Sequence, residues 1–231
     1  MSLWVKICGN TSLADAQLAA DAGADAVGFV FATSPRRVTV DAAAAICGKL
    51  PRTIEKIGVF VDAGLDEIYS TVRQAGLTGV QLHFEADARL PAKLRERLGP
   101  DLRILRVVHF DAGISPGVSA HIKKYAEDTS IDGVLVDSRT DTAVGGTGLA
   151  FDWTEARKTI FGEDRRVKLI AAGGLTPANV AEAIATLRPW GVDVVSGVEA
   201  APGRKDAFKV RDFVVRARAA LFDRDSIVRM G

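Results

Sequence analysis

Apolar runs rich in β-branched residues recur along the chain at positions 3–7, 26–31, 57–61, 79–82, 102–109, 133–136, 168–171 and 192–195. They are close to continuously apolar, which predicts strands buried on both faces, as in a parallel sheet covered by helices. Between them the apolar positions return with helical spacing, predicting helices over 12–22, 40–50, 64–75, 90–98, 116–127, 152–161, 176–187 and 206–221. Ser12 suits the N-cap of the first helix and Gly23 its stop. Eight strands and eight helices in strict alternation, without a Pro/Gly/Ser-rich linker, predict one α/β domain over residues 1–222, with 223–231 a charged tail. An open, doubly wound sheet and a closed (β/α)8 barrel of eight parallel strands both fit that alternation.

Two glycine turns favour closure. The seventh run continues into Ala172-Gly173-Gly174-Leu175-Thr176-Pro177, and the eighth into Ser196-Gly197-Val198-Glu199. Each reads as a strand that stops at a glycine and opens a helix. Glycine lets backbone N–H groups come close to an anion, and a helix N-terminus presents a positive dipole end. Paired turns after strands seven and eight are how a (β/α)8, or TIM, barrel holds a phosphorylated ligand. Gly173, Gly174, Ser196 and Gly197 are therefore the expected phosphate grip, and a small phosphorylated molecule the expected substrate.

Composition narrows the picture further. At 231 residues with 48% hydrophobic content, the chain is slightly short for such a barrel but ample for one large core. Its 30 basic and 29 acidic residues are spread evenly, so no basic stripe points to nucleic acid. No apolar stretch approaches a membrane span, and the N-terminus has neither a basic leader nor a long apolar segment, so a cytoplasmic protein is expected. Cys8 and Cys47 lack metal or disulfide spacing, and His83, His109 and His121 form no local zinc motif. No metal site is expected.

With a phosphate anchored at the last two turns, chemistry is sought at the other strand ends. The first run ends Lys6-Ile7-Cys8-Gly9-Asn10. Cys8 is either a buried small hydrophobe or a reactive group at the barrel rim, while Cys47 lies inside a helical segment and reads as packing. The second run leads to Ser34-Pro35-Arg36-Arg37, where a guanidinium on a stiff loop is shaped to hold a carboxylate by two parallel bonds, or is simply solvated. The sixth ends in Val136-Asp137-Ser138. A carboxyl just beyond four apolar residues suits proton donation, with an N-cap or a loop hydrogen bond as the alternative. Gly145-Gly146-Thr147-Gly148 lacks the Lys-Ser/Thr ending of a nucleotide loop and reads as a lid or hinge.

Taken in order, Lys6-Ile7-Cys8-Gly9, Gly23 through Phe31, Ser34-Pro35-Arg36, Gly58-Val59-Phe60-Val61, Val80-Gln81-Leu82-His83, Val136-Asp137-Ser138, Gly145 through Gly148 with Phe151-Asp152-Trp153, Ala172-Gly173-Gly174-Leu175, and Gly191 through Asp206 resemble the phosphoribosylanthranilate isomerases of tryptophan biosynthesis. The resemblance covers essentially the whole chain. It implies an Amadori rearrangement, an aldose–ketose isomerisation that needs no cofactor, in a monomer or homodimer. It implies that Asp137 is the general acid at the ribose ring oxygen and Cys8 the general base at C2. Arg36 would bind the anthranilate carboxylate and Asp193 would contact substrate near the reacting centre.

Two positions depart from the family pattern. Phe84 stands where glycine is usual, and it reshapes the mouth, contacts the anthranilate ring or turns outward. Asn10 stands where an apolar residue is commoner and suits a local turn role. Three other readings compete. A histidine-pathway isomerase carries a carboxylate at the base position and needs two phosphate sites. A ribulose-phosphate epimerase wants metal-ligating side chains. A silent sugar-phosphate barrel would not need Cys8, Arg36 and Asp137 together.

Overall fold

The computed structural model describes residues 3–83, 87–109, 115–137, 157 and 167–228. Eight strands, β1 (Trp4–Ile7), β2 (Ala26–Val30), β3 (Glu55–Phe60), β4 (Gly79–Leu82), β5 (Arg103–His109), β6 (Gly133–Asp137), β7 (Lys168–Ala172) and β8 (Gly191–Val194), pair in parallel in chain order. Strand β8 then pairs with β1, from Trp4 opposite Gly191 to Ile7 opposite Val194, and the barrel is closed. The open-sheet alternative is thereby excluded. Around it run α1 (Leu13–Asp21), α2 (Val40–Cys47), α3 (Leu65–Ala75), α4 (Leu90–Leu98), α5 (Ser115–Glu127), α6 (Val180–Leu187) and α7 (Ala207–Val228). The helix expected over 152–161, apart from helical Arg157, and the segments holding Phe84 and Gly145–Gly148 lie outside the described residues. Among the described residues no helix is long and apolar enough to cross a membrane.

Period-two alternation along each strand separates two cores. Outward side chains such as Val5, Ile7, Val27, Phe29 and Val80 pack beneath the helices. The inward set is smaller, and Trp4, Ile57, Leu105 and Ile170 belong to it. Those four come from odd-numbered strands, and they lie beside glycines on even-numbered ones. Ile57 pairs with Gly79, Leu105 with Gly133, and both Ile170 and Trp4 with Gly191. A methyl group on Gly79, Gly133 or Gly191 would come within 2.8–2.9 Å of a neighbouring strand's carbonyl oxygen. Large side chains from alternate strands thus fill one layer of the interior, which makes it a packed core rather than a pore.

Helix starts follow their caps. The Ser12 hydroxyl accepts from the Asp15 N–H at 3.2 Å, and Gly23 turns the chain out of α1 with φ +88°. The two glycine turns behave differently from expectation, because neither opens directly into a helix. Thr176 precedes Pro177, which disfavours helical backbone there. Asn179 instead caps the turn, accepting from the Thr176 N–H at 2.8 Å and donating to the Gly174 carbonyl at 3.0 Å, and α6 begins at Val180. After β8 comes a 3₁₀ turn, Ser196–Val198, and then a small antiparallel hairpin of β9 (Glu199–Ala201) and β10 (Arg204–Lys205) before α7. Helix α7 runs past its expected end at 221 to Val228.

Candidate active site

Toward the C-terminal end of the barrel the inward positions change from apolar to polar. Lys6, Gln81, Asp137 and Asp193 are all buried there. The Lys6 ammonium donates to the Asp193 carboxylate at 2.8 Å and to the Gln81 side-chain oxygen at 2.9 Å. Strands β1 and β4 are not neighbours, so the contact from Lys6 to Gln81 spans the interior. Gln81 in turn bonds the His83 ring at 2.9 Å, and the His83 and His109 rings lie 5.8 Å apart. Burial alone would push the Lys6 ammonium down. The Asp193 carboxylate and the Cys8 thiol outweigh it, and Lys6 is held above its ordinary value.

Cys8 stands just past β1 and is buried, with its N–H bonded to the Val194 carbonyl at 2.9 Å. Gly28 makes room for its sulfur, since a methyl there would come within 2.4 Å of Sγ. Burial pushes the Cys8 thiol up, and Asp193 adds to that effect. Lys6 and Lys205 pull the other way without prevailing. Asn10, also buried, donates to the carbonyls of Ile7 at 2.8 Å and Gly28 at 3.2 Å, the turn role expected of it. Cys47 packs at the end of α2, its thiol pushed up to about 11 by burial.

The glycine turns press against each other, for a methyl on Gly197 would fall 1.9 Å from the Leu175 carbonyl oxygen. Gly173 and Gly174 take φ of +82° and +63°, a backbone that suits glycine. Residues 172–175 and 193–197, together with Asp137, line one small hollow of about 20 Å³. Asp137, Asp193, Gly173, Gly174, Ser196 and Gly197 are therefore brought to a single place. A larger hollow of about 500 Å³ lies against the start of α2 and one side of α3, where Arg37 and Glu67 face it, and it holds none of these strand-end groups.

Arg36 reaches the same rim by crossing Gly9, whose φ is +74° and where a methyl would sit 2.8 Å from the Arg36 Cδ. Its Nε and Nη2 donate to the two carboxylate oxygens of Glu199 at 2.8 and 2.6 Å. Glu199 is buried and also accepts from the Gly203 N–H at 3.2 Å and the Lys205 ammonium at 3.3 Å. Burial would raise its carboxyl, but Arg36 and Lys205 hold it below the usual carboxylate range. Lys205 donates in addition to the Cys8 carbonyl at 2.6 Å.

Among the described residues no group of three or more His, Cys, Asp or Glu side chains is arranged to hold a metal ion. Lys6, Gln81, Glu199 and Lys205 are the buried polar residues at this end that sequence reasoning does not single out. For two of them a signal exists, since Lys6 and Gln81 are polar interruptions in otherwise apolar four-residue strands. The grouping sets two glycine turns beside a carboxyl, with a thiol just past the adjacent strand and a braced guanidinium at the edge.

Known proteins resemble this chain along most of its length. The model of the family "N-(5'phosphoribosyl)anthranilate (PRA) isomerase" matches residues 5–216. An N-(5'-phosphoribosyl)anthranilate isomerase of Pelobacter propionicus is 44% identical over 211 residues, 91% of this chain and 93% of its own. The solved phosphoribosyl anthranilate isomerase from Thermotoga maritima superposes with a TM-score of 0.79 at 33% identity, covering 94% of this chain and 99% of that one. A further phosphoribosyl anthranilate isomerase structure, in complex with reduced 1-(o-carboxyphenylamino)-1-deoxyribulose 5-phosphate, gives 0.77 at 32% identity with 94% and 99% coverage.

Proposed function

The chain belongs to the N-(5'-phosphoribosyl)anthranilate isomerase family and converts N-(5-phosphoribosyl)anthranilate to 1-(2-carboxyphenylamino)-1-deoxyribulose 5-phosphate in tryptophan biosynthesis; from that premise we propose that Asp137, Cys8 and Arg36 divide the reaction. The ligand of the solved relative carries a carboxyl group at one end and a phosphate at the other. We seat the phosphate on the amides of Gly173, Gly174, Ser196 and Gly197, and the anthranilate carboxylate on Arg36. This sets the ribose over the polar end of the barrel.

Asp137, beside the phosphate hollow, then gives its proton to the ribose ring oxygen. The C1–O bond breaks as the anilino nitrogen's lone pair forms a C1=N iminium. The positive charge acidifies the C2–H, and the Cys8 thiolate takes that proton while the C–H electrons close a C1=C2 enolamine. Proton loss from the C2 hydroxyl and proton gain at C1 complete the ketone, so the sum is an isomerisation. An acid and a base on separate strands allow both transfers at one pH. Lys6 lies between Asp193 and Cys8, where a cation supports the thiolate. The free thiols of Cys8 and Cys47 suit a reducing compartment, and we place the enzyme in the cytoplasm.

The observation that carries this reading is the shared hollow of Asp137 and the two glycine turns, with Cys8 just past the end of β1, the strand next to β8. Steady-state turnover of freshly generated phosphoribosylanthranilate, followed by its fluorescence, tests it. Cys8→Ala and Asp137→Ala each should lose roughly 100-fold or more in kcat. Arg36→Ala should mainly raise KM, because it holds a group remote from the bonds that change. Near-normal turnover in either of the first two removes that residue from the mechanism.

A further inference from the structure

The hairpin after β8 does more than lead into α7. Glu199 follows the phosphate turn Ser196–Val198 without a spacer, and its carboxylate is fixed from its own hairpin by the Gly203 N–H at 3.2 Å and by Lys205 at 3.3 Å. Arg36 meets this carboxylate edge-on, through Nε at 2.8 Å and Nη2 at 2.6 Å. Paired in that way, a planar guanidinium has one edge pinned and its other edge aimed in one direction. The loops are also knitted by backbone. Thr11 donates to the Gly203 carbonyl at 2.6 Å, and Lys205 to the carbonyls of Cys8 at 2.6 Å and Val195 at 3.2 Å. One carboxylate–ammonium pair therefore joins the phosphate turn, the arginine and the base-bearing strand end.

We propose that Glu199 is the positioning residue for Arg36, and that it sets the span between the phosphate grip and the aryl-carboxylate grip. The inference rests on the reading that Arg36 binds the anthranilate carboxylate. Glu199 touches no substrate. It acts by holding the guanidinium at a fixed place relative to amides only two and three residues before it, those of Gly197 and Ser196. A substrate that offers both anions gains from that fixed span. A substrate that offers only the phosphate does not.

The test compares Glu199→Gln with the wild type on two substrates, phosphoribosylanthranilate and its carboxylate-free counterpart N-(5-phosphoribosyl)aniline. A glutamine has one oxygen to accept and an amide that opposes the second guanidinium N–H. The expected result is a KM at least about tenfold higher for the carboxylate substrate, kcat within about threefold, and an unchanged KM for the aniline. Glu199→Asp, which keeps the charge but withdraws it by one methylene, is read in the same way and covers the case in which the glutamine variant does not fold. An equal rise in KM on both substrates, a kcat loss on both, or no change overturns the positioning role. Arg36→Ala on the same pair separates the two claims. If it affects both substrates alike, Arg36 is not the carboxylate site and the inference falls with that reading. If it discriminates while the Glu199 variants do not, the inference alone fails.

Discussion

At the scale of single residues, the environment of Cys8 is a poor one for a thiolate. Burial raises the thiol, and Asp193 opposes a second negative charge beside it. Lys6, two residues earlier on β1, and Lys205, from the hairpin, are the opposing cations. In the proposed mechanism this raised thiol is the base, and the iminium cation of the ring-opened substrate adds to the positive charge of Lys6. The sign of the pH dependence follows. The base must lose its proton to work, so kcat/KM of the free enzyme should rise with pH along an acid limb lying above an ordinary thiol, for which about 8.5 is typical. Lys6→Met removes the nearer cation and should move that limb to still higher pH. A limb that stays in place, or moves down, shows that Lys6 does not tune Cys8. Cys8 itself was legible as a rim residue. Asp193 entered only through the family resemblance. That Lys6 stands between them was not legible, because a lone lysine in a strand reads equally well as an edge residue pointing to water.

Among the elements, the two glycine turns depend on each other. The Gly197 backbone lies so close to the Leu175 carbonyl that a methyl would sit 1.9 Å away, and both atoms at issue belong to the main chain and cannot swing aside. Gly197→Ala should therefore spread the turns and weaken the proposed phosphate seat, raising KM and the inhibition constant of inorganic phosphate at least about tenfold, the scale of one lost charge-assisted hydrogen bond. Unaltered phosphate inhibition would mean that the ligand phosphate sits elsewhere. The position of these turns was readable from glycine and from the apolar runs before them. The elements after them were not. Pro177 and Asn179 delay α6 to Val180, and strands of three and two residues at Glu199–Ala201 and Arg204–Lys205 are too short to show a period. Pro202-Gly203 is the one turn signal there, and Gly203 does take φ +78°.

For the molecule as a whole, closure depends on alternating bulk. Trp4, Ile57, Leu105 and Ile170 lie beside Gly79, Gly133 and Gly191, and the last of these sits at the seam where β8 meets β1. Gly191→Ala would place a methyl 2.8 Å from the Trp4 carbonyl oxygen and 3.0 Å from its ring. Overpacking of this kind costs roughly 1–3 kcal/mol, to be read as a lower urea midpoint, while kcat of the folded fraction stays within about twofold. A midpoint equal to that of the wild type would show that the seam yields without strain. The sequence by itself determined the number and order of the strands and the rim on which chemistry collects. Parallel strands joined by helices all run one way, so their C-terminal residues must gather at one end. It also located the two glycine turns, because glycine leaves a mark on local backbone that needs no partner to be read. Only the tertiary structure decided which buried charges face each other. Lys6 meets Gln81 and Asp193, and Arg36 meets Glu199 across 163 positions of chain, because barrel closure and strand register set those distances and neither is encoded in local spacing.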